Sequence, residues 1–146
     1  MYRKILLPTN GSALCESAVQ KGIEFAKFAG ASVVGFHAIP ATSYLIYTEA
    51  GPSDVLAEQF ERDAMVRGQT LVDAIQRQAQ AVGVHCDTLL LTNDHPWEAI
   101  IEAANTQDCD LIFMASHGRR GLSALLLGSE TARVLTHTAT PVLVYR

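Results

Sequence analysis

A doubly wound α/β domain, an open five-stranded parallel sheet with helices on both faces, is the fold class this sequence predicts. Three observations carry that expectation. Short apolar runs alternate with longer helical stripes in a βαβαβαβαβ pattern. Three of the runs are apolar almost throughout, as strands covered on both faces are. The runs are separated by roughly 10 to 30 residues of helix, a spacing that implies right-handed crossovers between parallel neighbours in a Rossmann-like sheet.

The elements follow in order. "YRKILLP" reads as the first strand, ending at Pro8, and "SVVGFHAI" as the second. Between them Leu14, Ala18, Gly22, Phe25, Ala26 and Ala29 recur at helical spacing, and Gly30 suits the C-terminal cap. Residues 40 to 54, "PATSYLIYTEAGPSD", lack periodicity and hold two prolines. They are expected to form a surface connection that exposes Tyr44 or Tyr47 and lies over a ligand crevice. A long second helix is expected from the stripe Leu56, Phe60, Ala64, Leu71, Ile75, Ala79 and Val82, broken at Gly83. "VHCDTLLLT" is the third strand. "NDHPWEAI" opens the third helix, with Asp94 or His95 as cap, Pro96 in the first turn and Glu98 at the positive end of the dipole. "DLIFMAS" is the fourth strand, a fourth helix starts near Ser129, and "TPVLVYR" is the fifth strand. With no repeat, low-complexity tract or linker, residues 1–146 read as one domain.

Composition bounds the function. A chain of 146 residues buries roughly two thirds of its unfolded surface without metal or disulfide staples. Hydrophobic residues make up 49% and charged ones 18%, yet no apolar stretch reaches the length of a membrane span, so a soluble protein is expected. "MYRKILLPTN" falls short of a signal sequence, which makes the cytoplasm the expected compartment. The net charge of −4, uninterrupted by a long Lys/Arg cluster, argues against DNA or RNA as partner. Cys15, Cys86 and Cys109 are odd in number and far apart, which fits buried apolar side chains better than disulfides or a zinc site.

In such sheets ligands bind beyond the carboxyl ends of the strands, where the strand order reverses. Two strand ends qualify: "PTNGS" at 8–12 and "ASHGRRGLSALLLGS" at 115–129. In the second, Gly118, Gly121 and Gly128 are expected to supply positive φ and close backbone approach to an oxyanion. Gly128 and Ser129 stand where a helix begins, so its dipole and the Ser129 hydroxyl would face a phosphate. Ser129 is equally well explained as an N-cap. The loop lacks the Lys of a P-loop, and no G-x-G-x-x-G follows the first strand. "TNGS" likewise offers fewer donors than the Gly- and Ser-rich loop of ATP pyrophosphatases.

The arrangement resembles the universal stress protein (UspA) family over essentially the whole chain. The resemblance is carried by "KILLPTNGS", "HAI", "CDLIFMASHGRRGLSALLLGSETARVL" and "TPVLVYR". ATP-binding members carry G-x-x-G, nine residues, then G-[ST]; here those positions are Ala115, Gly118, Gly128 and Ser129, with "RRGLSALLL" between. The resemblance implies an adenine-nucleotide module, with ATP or a related nucleotide as ligand, acting in stress response or signalling. It implies contacts from Pro8, Thr9 and Asn10, from His37, Ala38 and Ile39, from Met114, Ala115, Ser116, His117 and Gly118, and from Gly128, Ser129 and Glu130. Two departures stand out: Ala115 replaces a glycine, and Asn10 replaces the Asp that would help to hold Mg²⁺.

Other chemistry is less well supplied. His117 as a general base with Ser116 or Ser129 as nucleophile lacks an evident orienting carboxylate, and Glu130 is as easily placed facing solvent. A slow ATP hydrolase is therefore the lesser reading, beside a same-fold interaction protein that binds no nucleotide. His37, in an apolar strand, reads as a satisfied core histidine. His85, His95 and His137 lack ligand spacing. Arg119 and Arg120 read as solvated, and Trp97 as packed at the base of the third helix. The last strand, opened by Pro141, should lie at a sheet edge with unpaired backbone groups. The resemblance implies a homodimer through this strand, at Val142, Leu143 and Val144.

Overall fold

The computed structural model describes residues 1–41, 47–48, 51–118 and 126–146. The elements run β1 (Lys4–Pro8), α1 (Ala13–Ala29), β2 (Ser32–Ile39), β3 (Tyr47–Thr48), β4 (Gly51–Pro52), α2 (Asp54–Ala81), β5 (Cys86–Thr92), α3 (Pro96–Thr106), β6 (Leu111–Ala115), α4 (Ser129–His137) and β7 (Val142–Tyr145). Five strands form one parallel sheet in the order β5-β2-β1-β6-β7. The pair β3 and β4 is a small antiparallel ribbon in the connection expected between β2 and α2. Tyr44, the side chain of Tyr47, Arg119, Arg120 and Gly121 fall outside what is described.

Strand alternation sorts the core into two layers. Ile5 and Leu7 of β1, with Leu111, Phe113 and Ala115 of β6, pack under α1 and α2. Leu6, Val34, Phe36, Ile112 and Met114 face the opposite way, under α3 and α4. The three central strands are buried on both faces, whereas β5 and β7, the sheet's two edges, are half-buried. All three cysteines are free and buried. Burial pushes the thiol of Cys109 up to about 11 and raises that of Cys86, as suits side chains that serve as packing.

Helix α1 ends as expected, with Gly30 left-handed at φ 68. Helix α2 departs from the expected stripe: its buried residues are Ala64, Gly68, Val72, Ile75 and Ala79. Leu71 is half-buried, and Leu56, Phe60 and Val82 are exposed. The reason is length. Its 28 residues run about 42 Å, while the 8 residues of β2 span about 26 Å. The first turns of α2 therefore project beyond the sheet that would cover them. At α3, His95 is the N-cap and makes no side-chain cap bond, with Pro96 in the first turn.

Candidate nucleotide site

A cleft opens where the chain leaves β1 for one side of the sheet and β6 for the other, the reversal point expected of this topology. Its volume is about 160 Å³, below the roughly 300–1,000 Å³ of a full small-molecule site. That suits one flat ring in the depth of the cleft, with the rest of a ligand extending over the rim. The walls are Pro8, Thr9 and Asn10 after β1; Phe36, His37 and Ala38 of β2; Met114, Ala115, His117 and Gly118 at β6; and Glu130 and Thr131 of α4. Cys15, Pro96 and Ile100 complete them.

The turn after β1 is locked by its own side chains. Thr9 Oγ1 accepts from the Gly11 N–H, Asn10 Oδ1 from Ser12, and Ser12 Oγ caps α1 by accepting from Cys15. Gly11, at φ 79, supplies the left-handed residue that this tight sequence of bonds requires. Thr9 donates its own N–H to the carbonyl of Phe36, tying the turn to β2. His37 Nδ1 lies 2.8 Å from the Thr9 carbonyl; as donor, it leaves Nε2 an acceptor. His37 is thus satisfied, as expected, but it lines the cleft and is half-buried, not sealed in the core.

At the other wall, Ser116 organises backbone. It is buried, donates its N–H to the Tyr145 carbonyl at 2.7 Å and accepts the Gly128 N–H at 2.8 Å. The loop is thereby pinned at both ends, and the Gly128 N–H is already used. Thr131 Oγ1 donates to the Ala115 carbonyl at 3.0 Å, holding the first turn of α4 against β6. The methyl of Ala115 belongs to the buried core beneath α1, at 4% exposure. The Cβ absent from a glycine therefore has a place in the packing here.

Gly118 and Gly128 act by close approach, not by positive φ. Neither Gly118 nor Gly128 is left-handed; Gly128 has φ −62 and ψ 152. A Cβ on Gly118 would meet Asn10 Nδ2, and one on Gly128 would stand 3.0 Å from His117 Cα. Each glycine lets two chain segments touch. Gly128, not Ser129, is the N-cap of α4, and no side chain among the described residues caps this helix. Ser129 is its first helical residue, which removes the capping explanation for its hydroxyl.

Glu130 does not simply face solvent. Its Oε2 accepts from the backbone N–H of Trp97 at 2.8 Å, filling the N-terminus of α3. The Trp97 ring lies 4.6 Å from that of His137, centroid to centroid, and its Nε1 is buried without a hydrogen-bond partner among the described residues. His117 Nδ1 is 3.1 Å from Ser116 Oγ, but no carboxylate bonds to His117 among the described residues, so the dyad lacks its orienter. No group of three or more His, Cys, Asp or Glu forms a metal site among the described residues. Asn10 Oδ1 accepts from the Ser12 N–H within the turn, and as a neutral amide it offers Mg²⁺ none of the charge of the carboxylates that ion favours.

Of the residues expected at the site, Pro8, Thr9, Asn10, His37, Ala38, Met114, Ala115, His117, Gly118 and Glu130 converge on the cleft. Ile39 is buried and points at α2, where its Cδ1 would stand 3.4 Å from a Cβ on Gly68. Ser116, Gly128 and Ser129 sit behind or beside the cleft, not in its lining. Phe36 was legible, since it shares a strand face with Ala38. Cys15, Pro96, Ile100 and Thr131 come from helices whose approach only tertiary packing sets.

The family model described as the universal stress protein family matches residues 1–146. The chain belongs to the universal stress protein family. It is similar to universal stress protein MJ0531 of Methanocaldococcus jannaschii, 30% identical over 146 residues that cover 100% of this chain and 83% of that one. A universal stress protein of Thermus aquaticus is 31% identical over 147 residues, covering 100% of both. The solved structure of MJ0577 superposes with a TM-score of 0.81 at 27% identity, covering 99% of this chain and 95% of that one. The fold is shared with universal stress proteins solved with adenine nucleotides. One, in complex with cAMP, has a TM-score of 0.72 at 20% identity, covering 99% and 97%. One from Arabidopsis thaliana, with AMP bound, has 0.67 at 19%, covering 97% and 90%. One from Archaeoglobus fulgidus, in complex with dAMP, has 0.67 at 16%, covering 99% and 98%.

Proposed function

We propose that this universal stress protein binds an adenine nucleotide in the cleft between the ends of β1, β2 and β6, as a homodimeric signalling module and not as a fast enzyme. The observation that carries the reading is the N-terminus of α4, capped by a glycine and by no side chain among the described residues, beside an apolar slot at the strand-order reversal. A helix start without a side-chain cap has N–H groups to offer a phosphate. The slot, walled by Pro8, Phe36, Ala38, Met114 and Ile100, takes the flat apolar faces of a purine. His37 Nε2, as an acceptor, suits an exocyclic amine such as that of adenine. The nucleotides bound by its relatives support the same ligand class. ATP belongs to that class, and Mg²⁺ is not held by the protein in this reading.

The test is release and rebinding. Protein purified from cells is denatured, the supernatant is resolved by chromatography, and AMP and ATP are titrated by calorimetry with and without Mg²⁺. Released adenine nucleotide, or binding heat, is expected; neither, at millimolar ligand, overturns the reading. For the dimer, β7 offers an open edge with half-buried Val142, Leu143 and Val144. Light scattering should give a dimer that Val142→Lys or Val144→Lys reduces to monomer.

A further inference from the structure

Resting on the nucleotide-binding reading above, we infer that Glu130 sets the ligand charge the cleft accepts. Its carboxylate makes the site favour an adenine ligand with one phosphate over one with three. The residue is the second of α4 and lines the cleft beside His117 and Gly118, on the side where α4 begins. There a phosphate would meet the helix N-terminus.

The carboxylate is not free to swing away. Its Oε2 is fixed at 2.8 Å on the N–H of Trp97, and the positive end of α3 stabilises the negative charge where it stands. Attraction from the start of α4 is reduced in turn, because the Gly128 N–H is committed to the Ser116 carbonyl. Among the described residues that line the cleft there is no Lys or Arg. The N–H groups at the start of α4 can meet one phosphate group, while each further phosphate brings negative charge close to a fixed anion. At a partly exposed site each such charge weakens binding about three- to tenfold. Arg119 and Arg120 follow Gly118 in the sequence and lie outside the described residues. They are common to the wild type and every variant below, so their contribution cancels in the comparison.

The experiment is a calorimetric series of adenosine, AMP, ADP and ATP, in EDTA at constant ionic strength, on the wild type, Glu130→Gln and Glu130→Asp. Gln keeps the size and an oxygen for the Trp97 N–H but removes the charge; Asp keeps the charge and shortens the reach. The expected result is an affinity falling from AMP to ATP in the wild type. In Glu130→Gln the ATP affinity should rise about tenfold, AMP should rise less, and adenosine should not change; Glu130→Asp should retain the wild-type order. Two results overturn the inference while leaving nucleotide binding intact: an ATP-to-AMP ratio unchanged in Glu130→Gln, or Glu130→Asp behaving like Glu130→Gln, which would assign the effect to the position of α3. Failure of all four ligands on all three proteins overturns the nucleotide reading itself. Fluorescence of Trp97, the single tryptophan of the sequence, and thermal melting confirm that each variant is folded.

Discussion

Two helices begin beside each other at the carboxyl ends of the paired strands β1 and β6, and they are finished in opposite ways. At α1, Ser12 caps the helix and Asn10 and Thr9 fasten the turn that leads to it. At α4, Gly128 stands at the cap without a side chain, and its N–H is spent on the Ser116 carbonyl just beyond β6. The first start is closed by its own side chains and contributes stability; the second has no side-chain cap among the described residues. Glu130 makes the contrast sharper, since it accepts from the start of its neighbour α3 and not from its own helix.

The largest effect on this contrast should come from filling the space at Gly128. Its φ and ψ suit any residue, so Gly128→Ala has no backbone strain to overcome. Its Cβ would stand 3.0 Å from His117 Cα and 3.3 Å from the Ser116 carbonyl. The start of α4 must move, at a cost of about 1–3 kcal/mol, readable by denaturant unfolding. AMP affinity should fall with it. A variant as stable as the wild type would mean that the two segments need not touch.

A matched pair of serine variants separates the two helix starts. Ser12→Ala removes the cap of α1 and should cost about 1 kcal/mol of stability, with AMP affinity unchanged. Ser129→Ala should do the reverse, leaving stability within about 0.5 kcal/mol while weakening AMP about three- to tenfold through a lost hydrogen bond. Equal losses of stability in both would restore Ser129 to a structural role.

The sequence made the alternation of elements, the ends of the central strands and the Gly30 cap legible, because each is written in local period and turn chemistry. The rule that ligands sit beyond strand ends pointed to 8–12 and 115–129, and the family resemblance supplied the ten expected residues that converge on the cleft. What the sequence misassigned depends on packing between distant segments. Gly118 reads like a residue of positive φ, but its φ is not left-handed and a Cβ there would meet the Asn10 side chain instead. Ser129 reads like a cap because Ser caps helices in general, whereas the cap here falls one residue earlier, where Ser116 accepts the Gly128 N–H. Glu130 reaches a partner 33 residues away in the chain, a relation no local pattern expresses. The exposed start of α2 follows from a mismatch of lengths that hydrophobic period alone does not reveal.

The smallest effect should appear at the opposite end of the sheet, where charge serves stability alone. Asp110 accepts from the backbone of Arg3 at 3.0 and 2.9 Å and of Lys4 at 3.0 Å, and the Arg3 guanidinium lies 3.7 Å away. Partial desolvation pushes its carboxyl up, but the N–H donors of Lys4, Arg3 and Asp110 itself, with the Arg3 charge, together hold it below the usual aspartate value. A carboxyl depressed in the folded state stabilises above the unfolded value of about 3.9 and loses that contribution as pH falls through the folded value. The side chain is 33% exposed, so screening trims the gain. Asp110→Asn should therefore cost no more than about 1 kcal/mol at neutral pH. The gap to wild type should narrow below about pH 4, and AMP affinity should stay the same. A gap that persists unchanged in acid would assign the effect to the shape of the hydrogen bonds and not to the charge that makes them.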